Sequence, residues 1–294
     1  MKNDQKGNHE TKNIKLLPKD TAKISPKHID NFYLRFNKFM DAKRKIDNNK
    51  PPSYSIDKLK PNSIGKLISN FPESSEINNI DGFIQKQKYI INKFSSIGYQ
   101  IEEYEFKPFN RIIIGLGSES VREVSMTLHW IYGIPYIPGQ AIKGVVSDWI
   151  KSEIGDEVLK EGNFIQIFGS QKIKNIPAQR GNVLFLDSFP KNFNFNSHLK
   201  LDIMNPHYPD YYKENNSNVP PTDWQNPIPV FFLTVEKVNF DLTLIYLKKD
   251  LRNQKIYGKT LEEWMKEALK YNGIGAKTSL GYGSGILTKK GGGN

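Results

Sequence analysis

Residues 260–290 read TLEEWMKEALKYNGIGAKTSLGYGSGILTKK, and the order of elements in this stretch decides the fold. A threonine at 260 and a glutamate at 263 have the spacing of a capping box, which marks the first turn of a helix. We predict a helix over Thr260–Tyr271 that ends at Asn272 and Gly273, because glycine commonly follows the last helical residue. The run GSGILTKK then predicts a strand, so the stretch is a helix, a glycine-rich loop and a strand.

The glycine-rich loop, residues 273–285, places a lysine and two hydroxyl residues, at 277–279, among five glycines. Glycine lets a main chain approach a ligand and adopt positive φ, and consecutive N–H groups can bind anions. The loop therefore predicts a backbone that holds phosphate. A nucleotide P-loop is disfavoured, because Ala276 and Tyr271 occupy the two glycine positions of that pattern. A turn that only lets a helix and a sheet pack closely is the structural alternative.

Outward from this loop, the chain from residue 99 reads as short strands and helices. Strands are predicted for YQIEEYEF (99–106), RIIIGLG (111–117), NVLFLDSF (182–189), IPVFFLTVEKV (228–238) and FDLTLIYL (240–247). The run RIIIGLG is continuously apolar, as expected for a central strand, and the last two runs suit a hairpin. A helix is predicted from about Ala141, after a Pro-Gly turn. The order predicts an α+β, ferredoxin-like domain over 99–290 with loop and hairpin insertions.

The N-terminal third has a different character. Residues 1–25 are rich in lysine, asparagine and threonine, and we predict a flexible basic arm. Residues 26–98 are predicted to form a helical extension. Within it, apolar residues lie on one helical face over 27–46, Pro51-Pro52 ends that helix, and a second helix covers 82–97.

Composition narrows the class of protein. The chain has 294 residues, no cysteine and a formal charge of +11. The lack of cysteine excludes disulfides, thiolate metal sites and cysteine nucleophiles. No signal peptide or membrane span is recognisable, so we expect a cytoplasmic protein with no membrane partner. The basic charge is concentrated in residues 1–50 and 251–294 and favours a polyanion partner, although a lysine-rich composition alone would also produce it.

Other features are less specific. Pro138–Gly144 predicts a turn into a helix with Lys143 in the first turn, which suits an anion, although such a lysine is usually just solvated. The loop at 205–224 interleaves aromatic residues and prolines, and it could stack on unpaired bases or pin itself to the surface. No two of the five histidines have metal-ligand spacing, and we predict no metal, no cofactor and no catalytic residue.

Five motifs in a fixed order resemble one family. They are IIIGLGSES, GIPYIPGQAIKG, NPHYPDYY, PIPVFFLTV and GIGAKTSLGYGSG, and together they extend over residues 112–285. The set resembles the RAMP superfamily of CRISPR proteins, whose core is ferredoxin-like (RRM-like), and more narrowly its subunits in type III-B (Cmr) effector complexes. The resemblance implies a non-catalytic subunit that holds guide RNA toward its 3′ end. Its implied partners are guide RNA, target RNA and other Cmr or RAMP subunits in a filament-like complex.

The resemblance also implies which residues face the RNA backbone. They are Gly139, Gln140, Lys143, Gly273, Gly275, Lys277, Thr278, Ser279, Gly281 and Tyr282. In a ferredoxin-like order, the turn before the first helix and the glycine-rich loop are expected to converge beside the first strand. They would form one groove lined by main chain, with lysines at its edge. Contacts of this kind position RNA without reading its bases.

Two other functions stay open at the level of the sequence. A metal-independent RAMP endoribonuclease that processes precursor guide RNA would use a histidine such as His129 or His207 as general base. The lack of a histidine in either proposed RNA loop argues against it. A scaffold that contacts only proteins is the other alternative, and it would bind no RNA at any salt concentration.

Overall fold

The structure is a computed structural model, and it describes residues 10–15, 17–25, 29–47, 50–56, 58–68, 71, 80–120, 122–172, 177–208, 210–212, 220 and 222–291. Helices and strands are mixed in this part of the chain, in agreement with the α+β prediction. The first nine residues of the predicted arm lie outside the described ranges. None of the described helices combines the length and the apolar character needed to cross a membrane.

The secondary-structure elements follow one another along the whole described chain. The strands are β1 (Glu10–Lys15), β2 (Asp41–Asp47), β3 (Lys50–Ile56), β4 (Gln100–Pro108), β5 (Gly169–Ser170), β6 (Gln179–Arg180), β7 (Val183–Phe185), β8 (Phe189–Pro190), β9 (Leu199–Met204), β10 (Val230–Val235), β11 (Phe240–Tyr246), β12 (Lys255–Ile256), β13 (Lys259–Thr260) and β14 (Gly285–Lys289). The helices are α1 (Phe32–Asn37), α2 (Pro61–Ile68), α3 (Ile80–Ser96), α4 (Gly139–Ile154), α5 (Gly162–Phe168), α6 (Phe195–His198) and α7 (Leu261–Glu267), and a π-helical turn, Ala268–Asn272, continues α7.

The centre of the fold is an antiparallel sheet in which β14, β4, β11 and β7 lie side by side in that order. β8 also pairs with β11. Along the chain the members alternate as strand, helix, strand, strand, helix and strand, namely β4, α4, β7, β11, α7 and β14. Tyr104 lies opposite Leu242, and Phe106 lies opposite Leu287; all four side chains are buried. The helices α4 and α7 pack against each other over the same hydrophobic core.

The first central strand is not the one that the sequence predicts. It is β4, in which buried Tyr104 and Phe106 alternate with more exposed neighbours. The run RIIIGLG at 111–117, all of which is described, forms no strand, and an isolated bridge joins Ile112 to Val235. The isoleucines of this run are buried. An apolar run indicates that its side chains are buried, but it does not indicate that its backbone pairs with another strand, and for this reason the strand prediction was wrong.

The predicted hairpin of IPVFFLTVEKV and FDLTLIYL is also wrong. β10 pairs with β9 in a separate two-stranded sheet, whereas β11 lies in the central sheet. The chain passes between the two sheets through Lys237, whose φ of 56° is left-handed. Because β4 and β7 already occupy the two edges of β11, β10 has to pair elsewhere.

The N-terminal part is not purely helical. The helix predicted for 27–46 is limited to α1, and β2 begins within that range. β1, β2 and β3 form an antiparallel sheet in that order, so residues 10–15 of the predicted arm are a strand. Pro51 and Pro52, which were expected to end a helix, lie in β3, an edge strand, where proline is tolerated. The helix predicted for 82–97 is confirmed as α3.

A buried aromatic cluster joins the N-terminal part to the rest of the molecule. The ring centroid of Phe32 on α1 lies 5.9 Å from that of Phe36, 5.8 Å from that of Phe71 and 5.0 Å from that of Phe195, which is on α6. Arg122 donates from Nε to the carbonyl oxygen of Phe36 at 2.7 Å. The N-terminal part therefore shares one hydrophobic core with the central sheet.

Candidate nucleic-acid interface

Two glycines of the loop at 273–285 approach the protein's own main chain. Gly275 has a φ of 106°, and a Cβ added there would overlap the carbonyl oxygen of Ile113. Gly283 has a φ of 68°, and a Cβ there would overlap the carbonyl oxygen of Ile274. These glycines are needed for packing inside the molecule, as the structural alternative from the sequence proposes.

Main-chain hydrogen bonds hold the loop against the segment that follows β4. The amide of Ala276 donates to the carbonyl of Ile113 at 2.8 Å, and the amide of Gly283 donates to the carbonyl of Arg111 at 2.9 Å. Within the loop, the amide of Ile274 donates to the carbonyl of Gly283 at 3.0 Å. Both ends of the loop are thus fixed, and only its middle projects.

The middle of the loop, residues 277–282, is called the tip below. Lys277 has a left-handed φ of 57° and precedes a 3-10 turn over Thr278–Leu280. Ser279 is exposed, and Leu280 is 70% exposed. Within the described residues, the hydroxyls of Thr278 and Ser279 and the ammonium of Lys277 have no hydrogen-bond partner. A cation beside two free hydroxyls suits the oxygens of a phosphate.

A network of charged groups anchors the last residue of the tip. The hydroxyl of Tyr282 donates to Asp202 Oδ2 at 2.8 Å, and Arg111 donates to Asp202 at 2.8 Å and to Glu236 at 2.9 Å. Burial alone would raise the pKa of Asp202, but hydrogen bonds from the amide of Ile203, from Tyr282 and from Arg111 lower this pKa. Tyr282, which the resemblance assigns to RNA, therefore uses its hydroxyl inside the protein.

Lys277 also lines a cavity of about 570 Å³ beside the β9–β10 pair, called the hairpin cavity below. The lining residues are Lys58, Glu123, Met204, Asn205, Pro206, Tyr212, Ile228, Val230 and Lys277. The ammonium of Lys277 lies 5.8 Å from the centre of the Phe232 ring, which is close enough for a cation–π attraction. Lys277 thus belongs both to the tip of the loop and to the lining of this cavity.

The start of α4 forms a second candidate site. It lies beside β6 and β7 and borders a cavity of about 270 Å³, called the α4 cavity below. The residues that line this cavity are Gly139, Gln140, Lys143, Arg180, Gly181, Val183, Leu184, Phe185 and Leu186. Gly139 is buried, and its amide donates to Asp187 Oδ1 at 2.8 Å. Pro138, the residue before the helix, supplies no side-chain cap, and the carboxylate of Asp187 takes that place at the positive end of the helix dipole.

Arg180 is a functional candidate that sequence reasoning missed. It lies in β6 next to Gly181, is exposed, and lines the α4 cavity together with Lys143. The available signal was its position directly before the strand predicted for 182–189, in a chain with few arginines. Lys143 and Arg180 therefore give the lining of this cavity two cations.

Lys143 and Lys277 line different cavities. The glycine-rich loop is held against residues 111–113, whereas the start of α4 is held against β7 and Asp187. That the two lysines share a single groove stays a prediction. Each site has its own cation and its own main-chain frame.

The two histidines considered as general bases are in other surroundings. Nδ1 of His129 accepts from the amides of Ile131 at 3.3 Å and Tyr132 at 3.4 Å, and burial lowers its pKa against the opposing effect of Asp187. Its ring packs among Phe83, Tyr132, Tyr136 and Phe189. His207 is exposed and lines neither the hairpin cavity nor the α4 cavity.

Replacing Gly283 with alanine is expected to destabilise the protein more than the same change at Gly281. Both residues have positive φ, 68° and 87°, where alanine costs about 1 kcal/mol. Only at Gly283 would the new Cβ also overlap a carbonyl, since the space beside Gly281 is open. We expect losses in the free energy of unfolding of about 2–3 and about 1 kcal/mol, measured by chemical denaturation. Equal losses would contradict the packing of this loop.

Comparison with known proteins identifies the family. The profile of the RAMP superfamily matches residues 105–286. The CRISPR system Cmr subunit Cmr6 of Pyrococcus furiosus is 35% identical over 230 residues, which cover 61% of this chain and 66% of that protein. The Cmr6 subunit of Saccharolobus solfataricus is 26% identical over 234 residues, which cover 77% of this chain and 70% of that protein.

A solved structure supports the same assignment at the level of the fold. A chain in the cryo-EM structure of the type III-B Cmr-beta bound to cognate target RNA matches with a TM-score of 0.56 and 24% identity, covering 77% of this chain and 70% of that chain. The chain spans about two thirds of the length of the Pyrococcus relative, 66%. Because the superfamily profile covers more than half of its residues, the chain belongs to the RAMP superfamily, and it is similar to Cmr6 proteins.

Proposed function

We propose that the protein is a non-catalytic RNA-binding subunit of a type III-B CRISPR (Cmr) effector complex, which holds the guide-RNA backbone toward its 3′ end. The observation that carries the proposal is the tip at 277–282. Its lysine and two hydroxyls have no hydrogen-bond partner among the described residues, and main-chain bonds fix the frame beneath them. The similarity to Cmr6 proteins supports this function.

The arrangement of the domain belongs to the same proposal. We infer that residues 99–290 form a ferredoxin-like RAMP domain, because the sheet order β14-β4-β11-β7 with α4 and α7 in alternation is that of a split βαβ fold. We infer that residues 26–98 are an extension packed on this domain through α1. Residues 1–25 would be a basic segment in front of it.

The proposed RNA-binding residues have two kinds of role. Direct contacts to phosphate and ribose come from Gln140, Lys143, Arg180, Lys277, Thr278, Ser279 and Gly281. Gly139, Gly273, Gly275 and Tyr282 shape the sites from within, because they are buried, approach protein atoms or donate to Asp202. Contacts to the backbone position RNA without reading its sequence, which suits a subunit that accepts any guide.

The proposed partners are guide RNA, target RNA and neighbouring Cmr subunits. The support is that the matching solved chain comes from a Cmr-beta assembly bound to cognate target RNA. An endoribonuclease function has no comparable support among the described residues. His129 has its Nδ1 engaged by two amides, and His207 lines neither candidate cavity.

Lys277→Ala is expected to weaken the binding of single-stranded RNA about fivefold at 0.1 M salt, for unrelated sequences alike. One phosphate contact contributes a slope of about −0.7 in log K against log salt, so the variant is expected to flatten the slope by about 0.7. Lys143→Ala is expected to have the same effect, and the double variant about twice the change in slope. Fluorescence anisotropy titrations at several salt concentrations measure both quantities.

Lys88→Ala is the matched control, because Lys88 is an exposed lysine on α3 that lines neither candidate cavity. It removes the same charge and is expected to leave the slope nearly unchanged. Unaltered binding in the Lys277 and Lys143 variants would remove the proposed RNA sites. A protein that binds no RNA at any salt concentration would instead be a scaffold for other proteins.

A further inference from the structure

We propose that the hairpin cavity receives one unstacked nucleobase of the RNA whose backbone the tip holds. The inference rests on the proposed function and extends the same site from phosphate to base. It concerns a cavity of about 570 Å³, a size typical of small-molecule sites, that none of the RNA-backbone contacts above uses except through Lys277.

The walls of the hairpin cavity are mostly apolar. Met204 and Val230 come from the ends of β9 and β10 that face each other in the pair, and Val230 is buried. Pro206 and Ile228 extend the same surface along the loop between these strands. An apolar recess of this kind accommodates the flat face of a base, which loses water favourably on entry.

Two side chains on the rim have the chemistry that recognises an unpaired base. Tyr212 is 68% exposed and offers an aromatic ring for stacking. Asn205 is exposed and carries an amide that both donates and accepts hydrogen bonds, so it can meet the edge of any of the four bases. Stacking on an aromatic ring is tolerant of sequence, which suits a subunit that accepts any guide.

Lys277 connects this cavity to the phosphate site. It belongs to the tip, where the hydroxyls of Thr278 and Ser279 have no hydrogen-bond partner in the described part of the chain, and it also lines the hairpin cavity. A phosphate at the tip and a base in the cavity would therefore belong to the same nucleotide or to two consecutive nucleotides. This positive charge next to an apolar recess matches a nucleotide better than it matches an apolar side chain of a protein partner.

The far side of the hairpin cavity is formed by an ion pair that joins the N-terminal part to the core. Lys58 donates to Glu123 Oε1 at 2.8 Å, and both residues line the cavity. Because these two charges satisfy each other, Lys277 is the cation of this lining that remains without a hydrogen-bond partner among the described residues.

The test compares two eight-nucleotide probes on the full-length protein. One is an octamer of adenosine ribonucleotides, and the other has the same ribose–phosphate chain with every base removed. We expect Tyr212→Ala to weaken binding of the octamer with bases about fivefold or more and to leave binding of the base-free octamer unchanged. Tyr212→Phe keeps the ring and is expected to bind both probes as the wild type does.

Two controls separate the base site from the backbone site. Lys277→Ala is expected to weaken the binding of both probes, since it removes a phosphate contact. Tyr89→Ala removes another exposed tyrosine, on α3, and is expected to leave the binding of both probes unchanged. Thermal unfolding of Tyr212→Ala is expected to match the wild type because the side chain is exposed.

The outcomes distinguish the two proposals. If the Tyr212→Ala variant binds both probes as the wild type does, or loses the same factor of affinity for both, the hairpin cavity does not hold a base. The proposed binding of the RNA backbone is then judged from the Lys277→Ala variant alone. That first result would also be expected if the cavity receives a protein side chain. If the wild type binds neither probe at any salt concentration, the RNA-binding function itself fails.

Discussion

Glu102→Ala is expected to lower the free energy of unfolding by about 3–5 kcal/mol, because the change leaves two buried tyrosine hydroxyls and two cations without their acceptor. Glu102 is 4% exposed and lies in β4, at the centre of the sheet. Its Oε2 accepts from the hydroxyls of Tyr104 at 2.6 Å and Tyr246 at 2.8 Å. Its Oε1 accepts from Arg252 at 2.7 Å and from Lys289. Urea denaturation of the two proteins measures the loss.

The pH dependence of this loss follows from the pKa of Glu102. Burial alone would raise this pKa, but hydrogen bonds from Lys289, Tyr104 and Tyr246 hold it below the ordinary value. A carboxylate with a lowered folded pKa stabilises the protein above its unfolded pKa of about 4.3, and loses that contribution as the pH falls through the folded value. The stability advantage of wild type over Glu102→Gln is therefore expected to be full at neutral pH and to shrink in acid.

Glu103→Ala is the control for the Glu102 variants. Glu103 is the next residue of β4, and its side chain is exposed on the opposite face. The change is expected to stay within about 0.5 kcal/mol of the wild type. An advantage over Glu102→Gln that is constant from neutral pH into acid would show that the charge of Glu102 contributes nothing to stability.

Phe32→Ala is expected to cost about 3–5 kcal/mol, as for other fully buried aromatic residues. The side chain of Phe32 is completely buried and contacts Phe36, Phe71 and Phe195, so its loss opens a cavity where the N-terminal part meets the core. Since these residues share one core, denaturation is expected to remain a single transition at lower denaturant. Circular dichroism and aromatic fluorescence, followed together, measure this.

Leu34→Ala is the matched control on the same helix. Leu34 is 37% exposed and leaves no comparable cavity, so we expect a loss below about 1 kcal/mol. A Phe32→Ala variant with wild-type stability, or one that unfolds in two separate transitions, would mean that the N-terminal part is an independent unit.

Features determined by neighbours in sequence could be predicted. The capping box at α7 is present, with Thr260 and Glu263 bonded to each other's backbone amides, and the following glycine at 273 has positive φ. These signals depend on a few adjacent residues, so a single sequence contains them in full. The position of the glycine-rich loop before the last strand was predicted for the same reason.

Features determined by distant partners could not be predicted. The strand β2 begins where apolar spacing favoured a helix, and the apolar run at 111–117 is bonded to the glycine-rich loop and forms no strand. The network of Arg111, Asp202 and Tyr282 joins residues up to 171 positions apart (282 − 111). Arg180 belongs to the α4 cavity only because β6 lies beside α4. Except for the position of Arg180 just before a predicted strand, these contacts leave no local pattern in the sequence.

The frame of the glycine-rich loop consists of main-chain hydrogen bonds and glycines, whereas the side chains of Thr278 and Ser279 in its middle make no hydrogen bond to the described part of the protein. Substitutions at 278 and 279 are therefore expected to change the proposed contacts to RNA without destabilising the loop. Affinity and foldability can then be tuned independently in this part of the chain, so relatives with quite different residues at these two positions would still build the same loop.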